Sequence, residues 1–182
     1  METLPRDDDG RRWRALALLV LAEMLGMSLW FTASAVSPQL QRLWSLSDAQ
    51  AGWLTSAVQL GFVAGTAVAA VLNLADLLPG RLYVTVAAVL AAGANAALAA
   101  APDYAAALWL RFATGFFLAG VYPPAMKMIA TWFRSGRGLA IGAVVGALTV
   151  GKAVPYLLRA FPGLDWRQIV LAGSAGALLS AL

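Results

Sequence analysis

Six apolar stretches of about 20 residues constrain this sequence more than any other feature, because a helix of that length crosses the hydrocarbon core of a bilayer. Short polar segments, or segments with proline and glycine, separate them. Ser47 and Asp48 before the second stretch are typical of a helix N-cap. We predict transmembrane helices at 13–36, 49–72, 82–101, 104–129, 138–158 and 166–182. The last stretch is still apolar at Leu182, so we expect a truncated sixth helix in an all-α membrane protein.

The composition argues against a soluble protein and against most enzyme sites. Hydrophobic residues make up 61% of the 182 residues and charged residues only 12%, whereas soluble domains are about half apolar and about a quarter charged. Histidine and cysteine are absent, which removes the usual metal ligands, disulfides and the Ser-His-Asp triad. The basic residues form no stripe interleaved with aromatics, so we expect no nucleic-acid partner. We expect neither an enzyme nor a metal or cofactor site.

The lysine and arginine residues of the short loops predict the orientation. With six alternating spans, one side of the membrane collects Arg6, Arg11, Arg12, Arg14, Arg81, Arg134 and Arg137, and the other side only Arg42, Arg159 and Arg167. The positive-inside rule places the richer side in the cytoplasm. We therefore predict a disordered cytoplasmic tail at residues 1–12, and one six-helix domain at 13–182. We expect a multi-pass protein of a bacterial inner (plasma) membrane.

Four polar side chains within the spans are candidates for a substrate cavity: Glu23, Gln59, Arg111 and Lys152. A charge at mid-bilayer costs about 3 kcal/mol on insertion scales, so it needs a partner, a cavity or a route to the surface. Glu23 is too short to reach the surface, which leaves a substrate or proton role or a structural ion pair. Arg111 either extends outward or serves an interior role, and Gln59 also fits an interhelical hydrogen bond.

Other residues in the spans predict packing rather than chemistry. Gly138, Gly142 and Gly146 recur at every fourth position and predict a groove that another helix can approach closely. That groove is either a static packing seam or one that slides. Pro123 and Pro124 free backbone carbonyls of the fourth span and allow a kink there. We expect Asn95 to form an interhelical hydrogen bond, and Lys127 to extend to the headgroups.

Several segments together resemble the Major Facilitator Superfamily. The run from Leu110 to Phe133, with Arg111, Gly115, Gly120 and a terminal Trp-Phe pair, resembles the fourth span of that family. Arg137–Gly142 resembles the start of its fifth span, and Gly163–Arg167 the start of its sixth. The resemblance covers nearly the whole chain. It implies one half, the N-terminal six helices, of a twelve-helix carrier.

The loop after the second span matches the family pattern only in part. Leu74, Ala75 and Asp76 match, but Leu77 stands where the pattern has Arg, and Gly80–Arg81 lie one residue late. By resemblance, Asp76 and Arg81 belong to the charge network that holds a closed cytoplasmic gate. The departures leave the partner of Asp76 open.

The resemblance implies secondary active transport of a small solute by alternating access, with the substrate near the midplane between two halves. The expected partners are that solute, the lipid bilayer and a second six-helix half, either a C-terminal half or another copy. Arg111 and Lys152 favour a small anion, and Glu23 is the candidate carrier of a coupling proton. The alternative is a truncated or non-transporting membrane protein that acts only as an assembly partner.

Overall fold

A computed structural model describes residues 10–133 and 135–181, which form helices joined by short turns. The α-helices are α1 Gly10–Trp44, α2 Asp48–Val71, α3 Leu74–Leu77, α4 Gly80–Ala97, α5 Tyr104–Leu118, α6 Tyr122–Trp132, α7 Arg137–Ala160 and α8 Trp166–Ser180. A 3₁₀ turn, Leu98–Ala100, continues α4. Within these residues, five helical stretches are long and apolar enough to cross a bilayer: α1, α2, α4 with its turn, α5 with α6, and α7. The 15-residue α8 is shorter.

The first helix is longer than the predicted span 13–36. It begins at Gly10 and continues through Pro38 to Trp44, 35 residues in all. The prediction of a loop from Ser37 was therefore wrong, because one internal proline removes a single backbone donor and does not by itself end a helix. The helix ends where Ser45 adopts a positive φ of 50°. Of the predicted disordered tail, residues 10–12 are helical and residues 1–9 lie outside the described part.

The fourth predicted span, 104–129, is two helices rather than one. The backbone leaves the α-helix between Leu118 and Tyr122, and α6 then runs on to Trp132. Pro123 and Pro124 have no N–H to offer the carbonyls four residues earlier, which explains the break at this place. The kink predicted from the two prolines is confirmed.

Side-chain caps start three of the helices where the sequence leaves a loop. Ser47 and Gln50 form a reciprocal capping box at α2, so the predicted cap is confirmed. Asp103 accepts a hydrogen bond from the Ala106 amide at α5 (2.8 Å), and Asp165 forms a capping box with Gln168 at α8. Such caps satisfy amide groups that the first helical turn leaves without partners.

The helices alternate in direction, which defines two ends of the bundle. The near end carries the start of α1, the segment around α3 and the α6–α7 connection, and the far end carries residues 45–47, 101–103 and 161–165. Helix α1 packs mainly against α7 and α8, α2 against α5, and α4 against α5 and α8. Three apolar clusters are stacked along the bundle, around Ile129 near the near end, Met27 in the middle and Leu40 near the far end.

The closest helix contact joins α2 to α5 through three glycines. A β-carbon on Gly115 would overlap the carbonyl of Val58, and one on Gly61 or Gly65 would overlap the α5 carbonyls of Phe112 or Phe116. Gly61 and Gly65 are four residues apart, the small-xxx-small spacing that lets helix backbones approach in membranes. This spacing is visible in the sequence and is of a kind that favours such a contact.

Substitution of Gly115 by alanine tests this contact. We expect Gly115→Ala to destabilise the bundle by about 1–3 kcal/mol, because α2 and α5 must separate to admit the methyl group. Thermal unfolding of the detergent-purified protein measures it. The matched control is Gly93→Ala in α4, where an added β-carbon meets no atom within 4 Å. Equal melting temperatures for the two variants would contradict the packing.

Candidate functional site

Arg111 on α5 is fully buried and bonded to the backbone of two other helices. Its Nη1 donates to the Leu29 carbonyl (3.0 Å) and its Nη2 to the Trp30 carbonyl (2.6 Å), both on α1. Its Nε reaches the Leu54 carbonyl of α2 (3.4 Å). A planar guanidinium with five donors suits such a junction, because it can address several acceptors at once. The side chain thus lies in the packed interior, with no exposed area.

Asn95 extends this junction to α4 and α8. Its Oδ1 accepts a hydrogen bond from Arg111 Nη1 (3.1 Å), and its Nδ2 donates to the Val170 carbonyl (3.2 Å) and to Ser174 Oγ (3.0 Å). The interhelical hydrogen bond predicted for Asn95 is therefore confirmed. We call Arg111, Asn95, Ser174 and the carbonyls they contact the Arg111 network. It joins α1, α2, α4, α5 and α8.

Glu23 on α1 is buried without a polar partner. It is 1% exposed, and neither carboxylate oxygen has a hydrogen-bond partner among residues 10–133 and 135–181. Val20 and Met27, one turn away on either side, belong to or pack against two of the apolar clusters. Polar groups buried in this way are rare and costly. The structure does not join Glu23 to Arg111 or Lys152 by an ion pair.

Three aromatic side chains lie together near mid-depth, where α1 faces α2. The ring centroids of Trp30 and Phe62 are 5.0 Å apart in an edge-to-face arrangement, and those of Trp30 and Phe31 are 6.4 Å apart. All three are half-buried. We call Trp30, Phe31 and Phe62 the aromatic cluster. Its members resemble ordinary core aromatics in the sequence, and only their exposure marks them.

Lys152 and Gln59 lie beside the aromatic cluster and are exposed. Lys152 Nζ is 5.4 Å from the centroid of the Phe31 ring, within the range of a cation–π contact. Gln59 is three residues before Phe62 and four after Thr55, so it shares their face of α2. Thr55 and Ser34 of α1 are hydrogen-bonded through their hydroxyls (2.8 Å). Of the four cavity candidates, Gln59 and Lys152 are on the surface, whereas Arg111 and Glu23 are inside.

At the near end, Asp76 is paired with Lys127. Lys127 Nζ contacts Asp76 Oδ1 and donates to the Ala75 carbonyl (3.0 Å), which ties α6 to the short helix α3. Lys127 thus supplies the partner that the sequence left open, and it does so instead of only extending to the headgroups. Arg81 is exposed at the start of α4.

The glycine stripe, Gly138, Gly142 and Gly146, makes no close helix contact within the described residues. All three are exposed, and a β-carbon on any of them would meet no atom within 4 Å. The close approach on α7 is instead at Gly151, where a β-carbon would overlap the Met24 carbonyl of α1. Within the described residues, no helix therefore packs closely on the stripe.

The family is decided by a match to the model of the Major Facilitator Superfamily over residues 16–182. The chain belongs to the Major Facilitator Superfamily. It is 31% identical over 180 residues to the puromycin resistance protein pur8 of Streptomyces alboniger, covering 96% of this chain and 35% of that protein. The chain therefore spans about a third of the length of this relative.

A solved structure supports the fold of this Major Facilitator Superfamily chain. A bacterial homolog of the human lysosomal transporter Spinster, in an inward-facing and unoccupied conformation, matches with a TM-score of 0.77 and 23% identity. The match covers 93% of this chain and 41% of that one. The chain is thus a multi-pass, all-α membrane protein with the fold of one half of a carrier. Its family is one of transporters rather than enzymes.

A double-mutant cycle tests the Arg111 network. We expect Arg111→Lys to destabilise the protein although the charge is kept, because an ammonium cannot fork to acceptors on several helices. Combined with Asn95→Leu, the loss should be less than additive by about 0.5–3 kcal/mol. Thermal unfolding in detergent measures both.

The control is Arg42→Lys at the far end, where the exposed guanidinium donates, among the described residues, to the Pro38 carbonyl of its own helix alone. There we expect a change within about 0.5 kcal/mol. Strict additivity of the Arg111 and Asn95 substitutions would show that the network is not a unit.

Proposed function

We propose that this chain performs secondary active transport of a small solute by alternating access, as the N-terminal six-helix half of a carrier. The observation that carries this is the exposed position of Gln59 and Lys152 beside the aromatic cluster, within the membrane-spanning helices. Such groups are costly when they face lipid, but useful when they face a water-filled cavity between two halves. The second half is either a C-terminal half or another copy. We propose that a helix of this second half packs against the glycine stripe of α7.

We propose an orientation with the near end in the cytoplasm, in a bacterial inner membrane. The support is the excess of basic loop residues on that side, among them Arg81 and Arg137.

Within this half we assign different tasks to the buried and the exposed candidates. Arg111, fully buried and bonded to carbonyls, holds the helices together. Lys152 is the cation available to a solute, since no ion pair or hydrogen bond engages it within the described part of the chain, and this supports a small anion as substrate. A second candidate is export of a drug such as puromycin, supported by the name of the relative in Streptomyces alboniger.

We further propose that Glu23 carries a coupling proton. An ionised carboxylate without partners in an apolar site costs several kcal/mol, and either a proton or a cationic partner removes that cost. Glu23 has no such partner in the described residues. A change of conformation that admits water to it would then release the proton on one side of the membrane.

The proposal is tested by uptake into proteoliposomes that contain the protein as its gene encodes it. With nitrate, acetate, benzoate and puromycin as the solute panel, we expect an anion to accumulate when the outside is more acidic, to a greater extent than in protein-free liposomes, which acetic and benzoic acids enter passively. We expect Glu23→Gln to keep downhill movement of that anion and to lose its pH-driven accumulation. The control is Asp103→Asn, a cap at the far end.

Three results would count against parts of this proposal. Unchanged pH dependence in Glu23→Gln would remove the proton role. Uptake of puromycin without any anion would favour the second candidate. No movement of any solute would support a non-transporting assembly partner.

At the near end, we propose that the Asp76–Lys127 pair is part of the gate, together with Arg81. The pair contributes only about 0–1 kcal/mol to stability because both side chains are more than half exposed. We therefore expect Asp76→Lys to slow uptake with little change in melting temperature. The double exchange Asp76→Lys with Lys127→Asp should recover part of the rate; it cannot replace the bond to the Ala75 carbonyl. A double variant no faster than the single one would contradict the pairing.

A further inference from the structure

We propose that the aromatic cluster and Lys152 form a subsite for a solute that carries both an aromatic ring and an anionic group. This rests on the proposed transport function and narrows its substrate from small anions in general to aromatic anions, with an arylcarboxylate as the simplest example.

The cluster presents aromatic surface that this half does not cover. Trp30, Phe31 and Phe62 are only half-buried. Fully buried residues lie on the same helices, within about two turns of each of them. Edge-to-face packing of Trp30 on Phe62 leaves ring faces and edges for another aromatic group. A planar ring gains more from such a surface than an aliphatic group of the same size, because aromatic pairs add to the area they bury.

The positive charge of Lys152, beside the aromatic cluster, favours an anionic group on the solute. Lys152 Nζ lies over the Phe31 ring at 5.4 Å, and the described part of the chain gives it no ion pair. The described aspartates are all at or near helix ends, at Asp48, Asp76, Asp103 and Asp165. Glu23 is the one described carboxylate within a long helix, and it is buried among apolar clusters. Lys152 therefore has an unmatched charge at the depth of the cluster.

The aromatic cluster and the ammonium group of Lys152 are close enough for one solute molecule to contact both. Phe31 contacts both Trp30 and Lys152, so an anion bound at the ammonium has its attached ring directed at Phe31 and Trp30. Two hydrogen bonds fix the backbone of α1 near the aromatic cluster. Arg111 Nη2 bonds the Trp30 carbonyl, and the Ser34–Thr55 hydrogen bond joins α1 to α2 one turn farther on. A site held in this way loses little conformational freedom when the solute binds.

The test compares four solutes that separate ring from charge: benzoate, cyclohexanecarboxylate, benzamide and nitrate. Binding to the detergent-purified protein is measured by calorimetry and uptake in proteoliposomes. We expect benzoate to bind about fivefold more tightly than cyclohexanecarboxylate, as one added aromatic contact implies. Trp30→Leu should abolish that preference, so that benzoate binds no more tightly than cyclohexanecarboxylate. Trp109→Leu, an exposed tryptophan on α5, is the matched control and should change nothing.

Substitutions of Lys152 test the anionic group. Lys152→Met should weaken binding of both carboxylates by about tenfold, the value of a charge-assisted hydrogen bond, whereas Lys152→Arg should retain most of it. Benzamide binding should not respond to either change.

The outcomes separate this inference from the transport proposal. Equal affinity for benzoate and cyclohexanecarboxylate, or carboxylate binding unchanged in Lys152→Met, overturns the subsite even if the protein transports nitrate. A loss of thermal stability in Lys152→Met, with all solutes affected alike, would show that Lys152 pairs with an acid of the second half and also overturns it. Benzoate binding without uptake of any solute would keep the subsite and refute transport.

Discussion

The buried guanidinium of Arg111 is the interaction on which the rest of the bundle depends. Inside a bilayer, helices gain no hydrophobic stabilisation from each other beyond what lipid offers, so contacts and hydrogen bonds decide their arrangement. Arg111 reaches carbonyls of Leu29, Trp30 and Leu54, and through Asn95 it reaches α8. Within the described residues this cation has no carboxylate partner, and it is stabilised by the oriented carbonyl dipoles of two helices, α1 and α2.

The packing around Arg111 explains how these contacts are reached. Gly115 lies one turn beyond Arg111 on α5, and its missing side chain lets α5 meet the α2 backbone at Val58. That closeness is what brings the guanidinium within reach of Leu54, one turn earlier on α2. The small residue and the charged one, four positions apart on α5, therefore act together in this chain.

Much of the fold was predictable, because the lengths of the apolar segments and the prolines that interrupt them determine where the helices lie. The spans around residues 49–72, 82–101 and 138–158 lie close to the observed helices, and Pro123 and Pro124 marked the break between α5 and α6. Pro38 did not predict the end of the first helix. A proline usually indicates a helix boundary, whereas this helix continues past Pro38 and ends only before Ser45, which has a positive φ. Likewise, the glycine spacing on α7 suggested a packing seam that is not formed within the described residues, whereas the equally visible Gly61–Gly65 spacing lies at a close helix contact.

The sequence by itself determined that the chain is a helical membrane protein and that a few polar side chains lie within its membrane-spanning segments. Only the tertiary structure decided which of those groups are inside and which are open. Arg111, Glu23, Gln59 and Lys152 look alike in a hydropathy pattern, yet the first two are buried and the last two exposed. The physical reason is that periodicity reports which face of a helix a residue occupies, whereas burial depends on which other helix, if any, covers that face.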